Sequence, residues 1–103
     1  MINKALKVIR QFHDLKQVEL ADSLGISKSY LSEIESGKKP VSLELLEKYS
    51  VEFEISVSSL VFFSESLSSK KGLSEKIRAV FSGKIINIME WFVDKDESKK
   101  AQA

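Results

Sequence analysis

Between Ser27 and Gly37 the chain carries Lys28, Ser29, Tyr30, Ser32, Glu33 and Ser36, with Leu31 and Ile34 among them. Wound as a helix at about 100° per residue, Leu31 and Ile34 fall on one side, with Ser27 near them. Ser29, Ser32, Glu33 and Ser36 point the opposite way, and Lys28 and Tyr30 lie on the flanks. An outer face this small and polar can enter the major groove of a nucleic-acid duplex, about 12 Å wide, without clash. Lys28 and Ser29, at the N-terminal end, suit base edges: lysine donates to guanine O6 and N7, and serine donates or accepts at several bases. Glu33 can accept from cytosine N4, or pair with Lys28 and orient it. Lys38 and Lys39, just past Gly37, would flank a phosphate backbone; a solvated loop is the plain alternative. Gln17 opens another helical segment, where free backbone N–H groups and the helix dipole favour an anion.

The elements that must hold these residues are short helices. Asn3 can cap a helix over about Lys4–His13, with Ala5, Leu6, Val8, Ile9 and Phe12 on its apolar face. A second runs from Gln17 to Leu24 and stops at Gly25. Ser27 caps a third, Lys28–Ser36, which Gly37 ends, with Pro40 soon after. Ser42 caps a fourth carrying Leu43, Leu45, Leu46 and Tyr49, and Ser56 a fifth, Val57–Phe63. Ser50 to Val57 alternates polar and apolar and could be a strand, but no partner strand is evident, so it reads as the end of helix four and its connection. Ser64 to Gly72 is Ser-rich and reads as a linker within 64–73. Ser74 then caps a long helix, 74–93, before a charged, flexible tail, 94–103.

Two short helices joined by a Gly-containing turn form a helix-turn-helix. The stretch Leu15 to Lys38 resembles the Cro/phage-repressor-like helix-turn-helix family of bacterial and phage regulators, the xenobiotic-response-element family. The resemblance rests on Leu15, Gln17, Glu19, Leu20, Ala21, Leu24, Gly25, Ser27, Leu31, Ser32, Ile34, Glu35, Gly37 and Lys38, and continues through Ser42–Leu60. It covers roughly residues 1–63 and implies a five-helix lambda-repressor-like DNA-binding domain. Three places depart from the family. Lys16 replaces a small hydroxyl cap, His13-Asp14 stands where a Gly-containing turn is common, and Glu52-Phe53-Glu54 replaces a Gly-containing helix end. The resemblance also implies roles. Gln17 would grip a phosphate and brace Lys28. Ser32 would touch bases or phosphates. Arg10 and Glu35 would form a partly buried ion pair joining helix one to helix three. Ser27 and Tyr30 belong with the phosphate-facing set, although packing against Gln17's helix suits Tyr30 equally. His13 is a helix-end residue.

One such domain touches few base pairs, and a two-fold dimer reads two half-sites about 34 Å apart. The C-terminal amphipathic helix supplies the means: Ile77, Val80, Phe81, Ile85, Ile88, Met89 and Phe92 recur at helical spacing, with Trp91 widening the patch. Dimerisation through this face is the expectation. Packing onto the N-terminal domain, a membrane-surface helix flanked by Lys84, Lys95, Lys99 and Lys100, and capture of a different protein are the alternatives. Gly83 interrupts the helix and could mark a kink or a close crossing.

Composition narrows the function class. The 103 residues include no Cys and one His, which removes disulfides, thiolate catalysis and Cys-based zinc sites and leaves no acid–base or metal constellation. No cofactor is expected, and no enzyme. No signal peptide or membrane span is read, and no membrane partner, so a cytoplasmic location is expected. The net charge of +1 would argue against nucleic acid, yet it averages unlike segments: +2 over residues 1–40, −4 over 41–66 and +3 over 67–103. The reading is an all-α, homodimeric transcriptional regulator, a repressor on a palindromic operator of double-stranded DNA, excluding polymerase by occupancy. Its rival is an antitoxin-like or other protein-interaction module, and an antirepressor or toxin-like protein is a further partner.

Overall fold

A computed structural model of the chain describes residues 2–68 and 83–102. Every regular element among them is a helix: α1 (Ile2–Phe12), α2 (Gln17–Leu24), α3 (Lys28–Glu35), α4 (Leu43–Phe53), α5 (Val57–Ser68) and α6 (Gly83–Gln102). No helix of the described residues is long and apolar enough to cross a membrane. The alternating stretch Ser50–Val57 is not a strand. It finishes α4, turns at Glu54 and Ile55, and enters α5 through Ser56, whose hydroxyl accepts from the Ser59 amide.

The helix ends show why the chain divides where it does. Past α2, Gly25 takes φ 71°, and the Gly25 and Ile26 amides donate to Asp22 and Ala21 carbonyls. Past α3, Gly37 takes φ 83°, and the Gly37 and Lys38 amides donate to Ile34 and Glu33. Both are the paired closure that satisfies orphan carbonyls and wants a left-handed residue. The same closure ends α1, but there the left-handed residue is Asp14, at φ 54°. Glu54, also at φ 54°, ends α4. Two of the three departures noted in the sequence are thus positions where a side chain occupies backbone space that glycine fits best.

At the other ends, Ser27 and Ser42 hydroxyls accept from Tyr30 and Leu45 amides. Lys16, which has no acceptor, leaves only half a capping box on α2: Glu19 reaches back to the Lys16 amide at 2.8 Å. Asn3 is not the cap expected of it. It lies inside α1, and its Nδ2 crosses to the Glu35 carbonyl at 3.2 Å.

Helix α1 is the hub, packed against α3, α5 and α6, while α2 bridges α3 and α4. Its buried face is Ala5, Leu6, Val8 and Ile9, and one continuous core extends from there to Leu31, Tyr49, Phe63 and Ile88. The C-terminal boundaries differ from those read in the sequence. Residues 64–68 continue α5, with Ser64 buried rather than opening a linker, and α6 runs on to Gln102 where a flexible tail was expected. The expected helix start at Ser74 and the linker to residue 73 lie outside the described residues beyond Ser68.

Of the residues read as a dimer face, those described are already buried or half-buried within one protomer. Ile85 and Ile88 are fully buried and Met89 nearly so, inside the protomer, with Phe92 half-buried beside them. The stripe of α6 covers α1 and α5, which present apolar surface within the same chain. Docking of this kind satisfies the stripe without a second molecule. Ile77, Val80 and Phe81 lie outside the described residues.

Candidate nucleic-acid interface

The side chains assigned to base contact sit on the outer face of α3. Lys28, Ser29 and Ser32 are exposed and Glu33 is half-exposed, while Leu31 and Ile34 are fully buried on the inner face. Ser27, Lys38 and Lys39 are exposed around them; Gln17 and Tyr30 are partly buried. Lys28 and Lys38 have no ionic partner among the described residues.

A four-part polar node fixes the position of this face. Arg10 approaches Glu35 side-on, Nε donating to Oε2 at 2.8 Å and Nη2 to Oε1 at 3.0 Å. Its remaining nitrogen, Nη1, donates to the Leu15 carbonyl at 2.7 Å, in the turn between α1 and α2. Gln17 Nε2 completes the node with a 3.0 Å bond to Glu35 Oε1. The Glu35 side chain is 2% exposed and that of Arg10 12%, so this is an interior pair in which both carboxylate oxygens and all three guanidinium nitrogens hold a bond. Such a pair tolerates burial because every charge is matched. Three helices meet at a single carboxylate, with the turn after α1 tied in through Arg10, and this anchors the last turn of α3.

Two side chains take partners other than those expected. Gln17 turns its amide toward Glu35 rather than toward Lys28. Glu33 pairs with Lys39, Oε2 to Nζ at 3.1 Å, and not with Lys28. Lys28 and Glu33 are five positions apart and so do not stack on one face of a helix. The turn at Gly37 brings Lys39 back over α3, where its ammonium also sits 5.6 Å from the Tyr30 ring centroid. Tyr30 packs against the core and carries that cation on its ring.

Sequence reasoning missed Tyr49. It is fully buried beside the node, and its hydroxyl has no hydrogen-bond partner among the described residues. Burial first, and the Glu35 carboxylate second, push its phenol well above the ordinary tyrosine range, with Arg10 opposing. A tyrosine at an apolar helix position gives no hint of which end its hydroxyl meets. His13 is a helix-end residue as read: Nδ1 donates to the Ile9 carbonyl at 2.8 Å and the ring lies 4.6 Å from Phe53. Among the described residues no group of three or more acidic or His side chains could hold a metal ion.

A helix-turn-helix family model matches residues 6–60. Antitoxin PezA of Streptococcus pneumoniae is 41% identical over 61 residues, which are 59% of this chain and 39% of that protein. Control protein C.MunI of a Mycoplasma species is 40% identical over 58 residues, 56% of this chain and 78% of that protein. The immunity repressor protein of Bacillus phage phi105 is 37% identical over 60 residues, 58% of this chain and 42% of that protein. The matched stretch thus spans about two fifths of the length of two of these relatives. No solved structure matches the chain. With the family model covering α2, α3 and most of the helices that hold them, the chain belongs to the Cro/repressor-like helix-turn-helix family.

Proposed function

We propose that the chain is a DNA-binding transcriptional regulator that lays α3 in the major groove of double-stranded DNA and acts as a repressor. The observation that carries this reading is the pairing of an exposed, low-bulk polar face on α3 with a buried anchor behind it, Glu35 held by Arg10 and Gln17. The likeness to a phage immunity repressor and a control protein supports it. Lys28 and Ser29 would read base edges, Ser32 a base or phosphate. Ser27, Lys38 and the amide-rich start of α2 at Gln17 would meet phosphates. Glu33, held by Lys39, would limit which base pairs are accepted, and Tyr30 would act through the lysine on its ring.

A fluorescence-anisotropy titration against genomic fragments tests the reading. Wild type should prefer some fragments over others at moderate salt. Lys28→Ala should relax that preference, whereas Lys38→Ala should weaken all sequences and reduce the salt slope by roughly 0.9 per lost phosphate contact. Equal binding to every fragment would refute sequence-specific regulation.

The homodimer and palindromic operator belong to the same proposal, with a changed contact. Because Ile85, Ile88 and Met89 are used inside the protomer, self-association would draw on the apolar residues left exposed on α5 and α6, Val61 and Val93. Sedimentation of the full chain with and without Val61→Glu reads this directly. The likeness to an antitoxin favours a second reading, in which the chain also holds a toxin-like protein. Stable co-purification of a second small protein from its native cells would favour it.

A further inference from the structure

Between α1 and α6 lies an open groove of about 470 Å³, lined by Asn3, Lys4, Lys7, Val8, Gln11 and Glu35 on one side and Trp91, Phe92 and Lys95 on the other. Its walls are aromatic. Trp91 meets Phe12 in a T-shaped contact at 5.6 Å between centroids, and the Lys95 ammonium sits 4.9 Å from the Trp91 ring centroid. Lys4 stands over Phe92 at 5.4 Å. Its rim is cationic: Lys4, Lys7 and Lys95 are exposed, and none is paired with a carboxylate among the described residues. Glu35, the acidic residue among those lining the groove, is 6% exposed and neutralised by Arg10. The groove between α2 and α4 has the opposite character, with Glu44, Glu47 and Glu52 against Lys48.

The geometry points to this groove as a binding site for a small aromatic anion, a flat unsaturated body carrying a carboxylate or phosphate. A flat body would take the place of the Lys4 and Lys95 ammonium groups on the Phe92 and Trp91 rings, and those ammonium groups, with that of Lys7, would pair with its anion. The volume lies within the range of small-molecule sites. Asn3 and Glu35 line the groove and also hold the end of α3, through the Asn3 bond to the Glu35 carbonyl and the Arg10 pair. A bound anion would therefore be felt at α3, which makes the groove an effector site if α3 meets DNA. Binding itself stands or falls independently of that reading.

Trp91 is the sole tryptophan, so its indole gives one resolved cross-peak in a proton–nitrogen correlation spectrum. Titration of the full chain with 2-naphthoate should shift that peak saturably, with a Kd of about 1 mM for a ligand of this size on an open groove. The amides from Glu35 to Gly37 should move with it. The Lys7→Glu, Lys95→Glu double variant should weaken binding by about tenfold or more, and Lys48→Glu should leave it unchanged. Exposed lysines carry no core packing, so the double variant should keep a dispersed spectrum; if it does not, the single variants Lys7→Gln and Lys95→Gln decide by the same reading. Equal shifts from neutral 2-naphthamide, from inorganic phosphate alone or from a short DNA duplex would overturn the proposal. So would unchanged naphthoate affinity in the charge-reversed protein.

Discussion

Gln17 and Glu35, the first residue of α2 and the last of α3, are joined by a 3.0 Å bond from amide nitrogen to carboxylate oxygen. Through it the two helices of the motif are locked at their far ends as well as through their shared core. Removing Arg10 strands a buried carboxylate, so Arg10→Met should destabilise the fold by about 3–5 kcal/mol in urea denaturation. Gln17→Ala removes one bond to a charge and should cost about 1.5–3 kcal/mol. The double variant Arg10→Met, Glu35→Leu should recover much of the loss. A double variant as unstable as Arg10→Met alone would mean the pair is not what holds α3.

Tyr49 should behave in the opposite way. Its unpartnered hydroxyl lies in the core, so Tyr49→Phe should be neutral or stabilise by about 1 kcal/mol. Its phenol is held above the ordinary range by burial and by Glu35. The unfolded chain therefore releases this proton at about pH 10 while the folded chain retains it, and stability falls as pH rises beyond that value. Urea midpoints at pH 8 and 10.5 check this: wild type should lose more than Tyr49→Phe.

Helix closure gives a third expectation. Glu54→Gly relieves a left-handed side chain and should stabilise by about 0.5–1 kcal/mol net of the added chain entropy. Asp14→Gly should gain less, since aspartate tolerates that conformation better than glutamate. In the reverse sense, Gly25→Ala meets open space and carries backbone strain alone. At Gly37 an added Cβ would also stand 3.2 Å from Asn3 Nδ2. Thermal denaturation should rank Gly37→Ala below Gly25→Ala, with both below wild type.

The docked C-terminal helix yields a fourth. Ile88 is fully buried in the protomer, so Ile88→Ala should destabilise the chain by about 2–5 kcal/mol at any protein concentration. Were Ile88 used only between protomers, the loss would vanish in dilute, monomeric protein. Unfolding followed over a hundredfold dilution separates the two.

The short helices were legible because their ends are written in small residues: Gly25, Gly37 and the hydroxyls of Ser27, Ser42 and Ser56 each satisfy backbone groups locally. The polar and apolar faces of α3 followed from periodicity alone. What depends on a distant partner was hidden. Asn3 has the chemistry of a cap, and nothing nearby says that it serves the carbonyl of Glu35 instead. Lys39 reaches Glu33 only because Gly37 reverses the chain. The stripe of α6 announced that it must be covered and left open by what: a second copy and the chain's own α1 and α5 offer the same apolar surface, and sequence spacing cannot rank them.

The bond between Glu33 and Lys39 has a thermodynamic consequence for any phosphate that approaches. A lysine in water surrenders its affinity to salt because each phosphate contact frees a condensed cation from the nucleic acid. Lys39 arrives with its own anion attached, and a phosphate must exchange places with that carboxylate. Lys39 should then add less than the usual increment of about 0.9 to the salt slope, while Lys38 adds its own in full. The protein would thus bind less avidly to arbitrary DNA than its lysines suggest, and would gain more from Lys39 where a base pair gives Glu33 another partner.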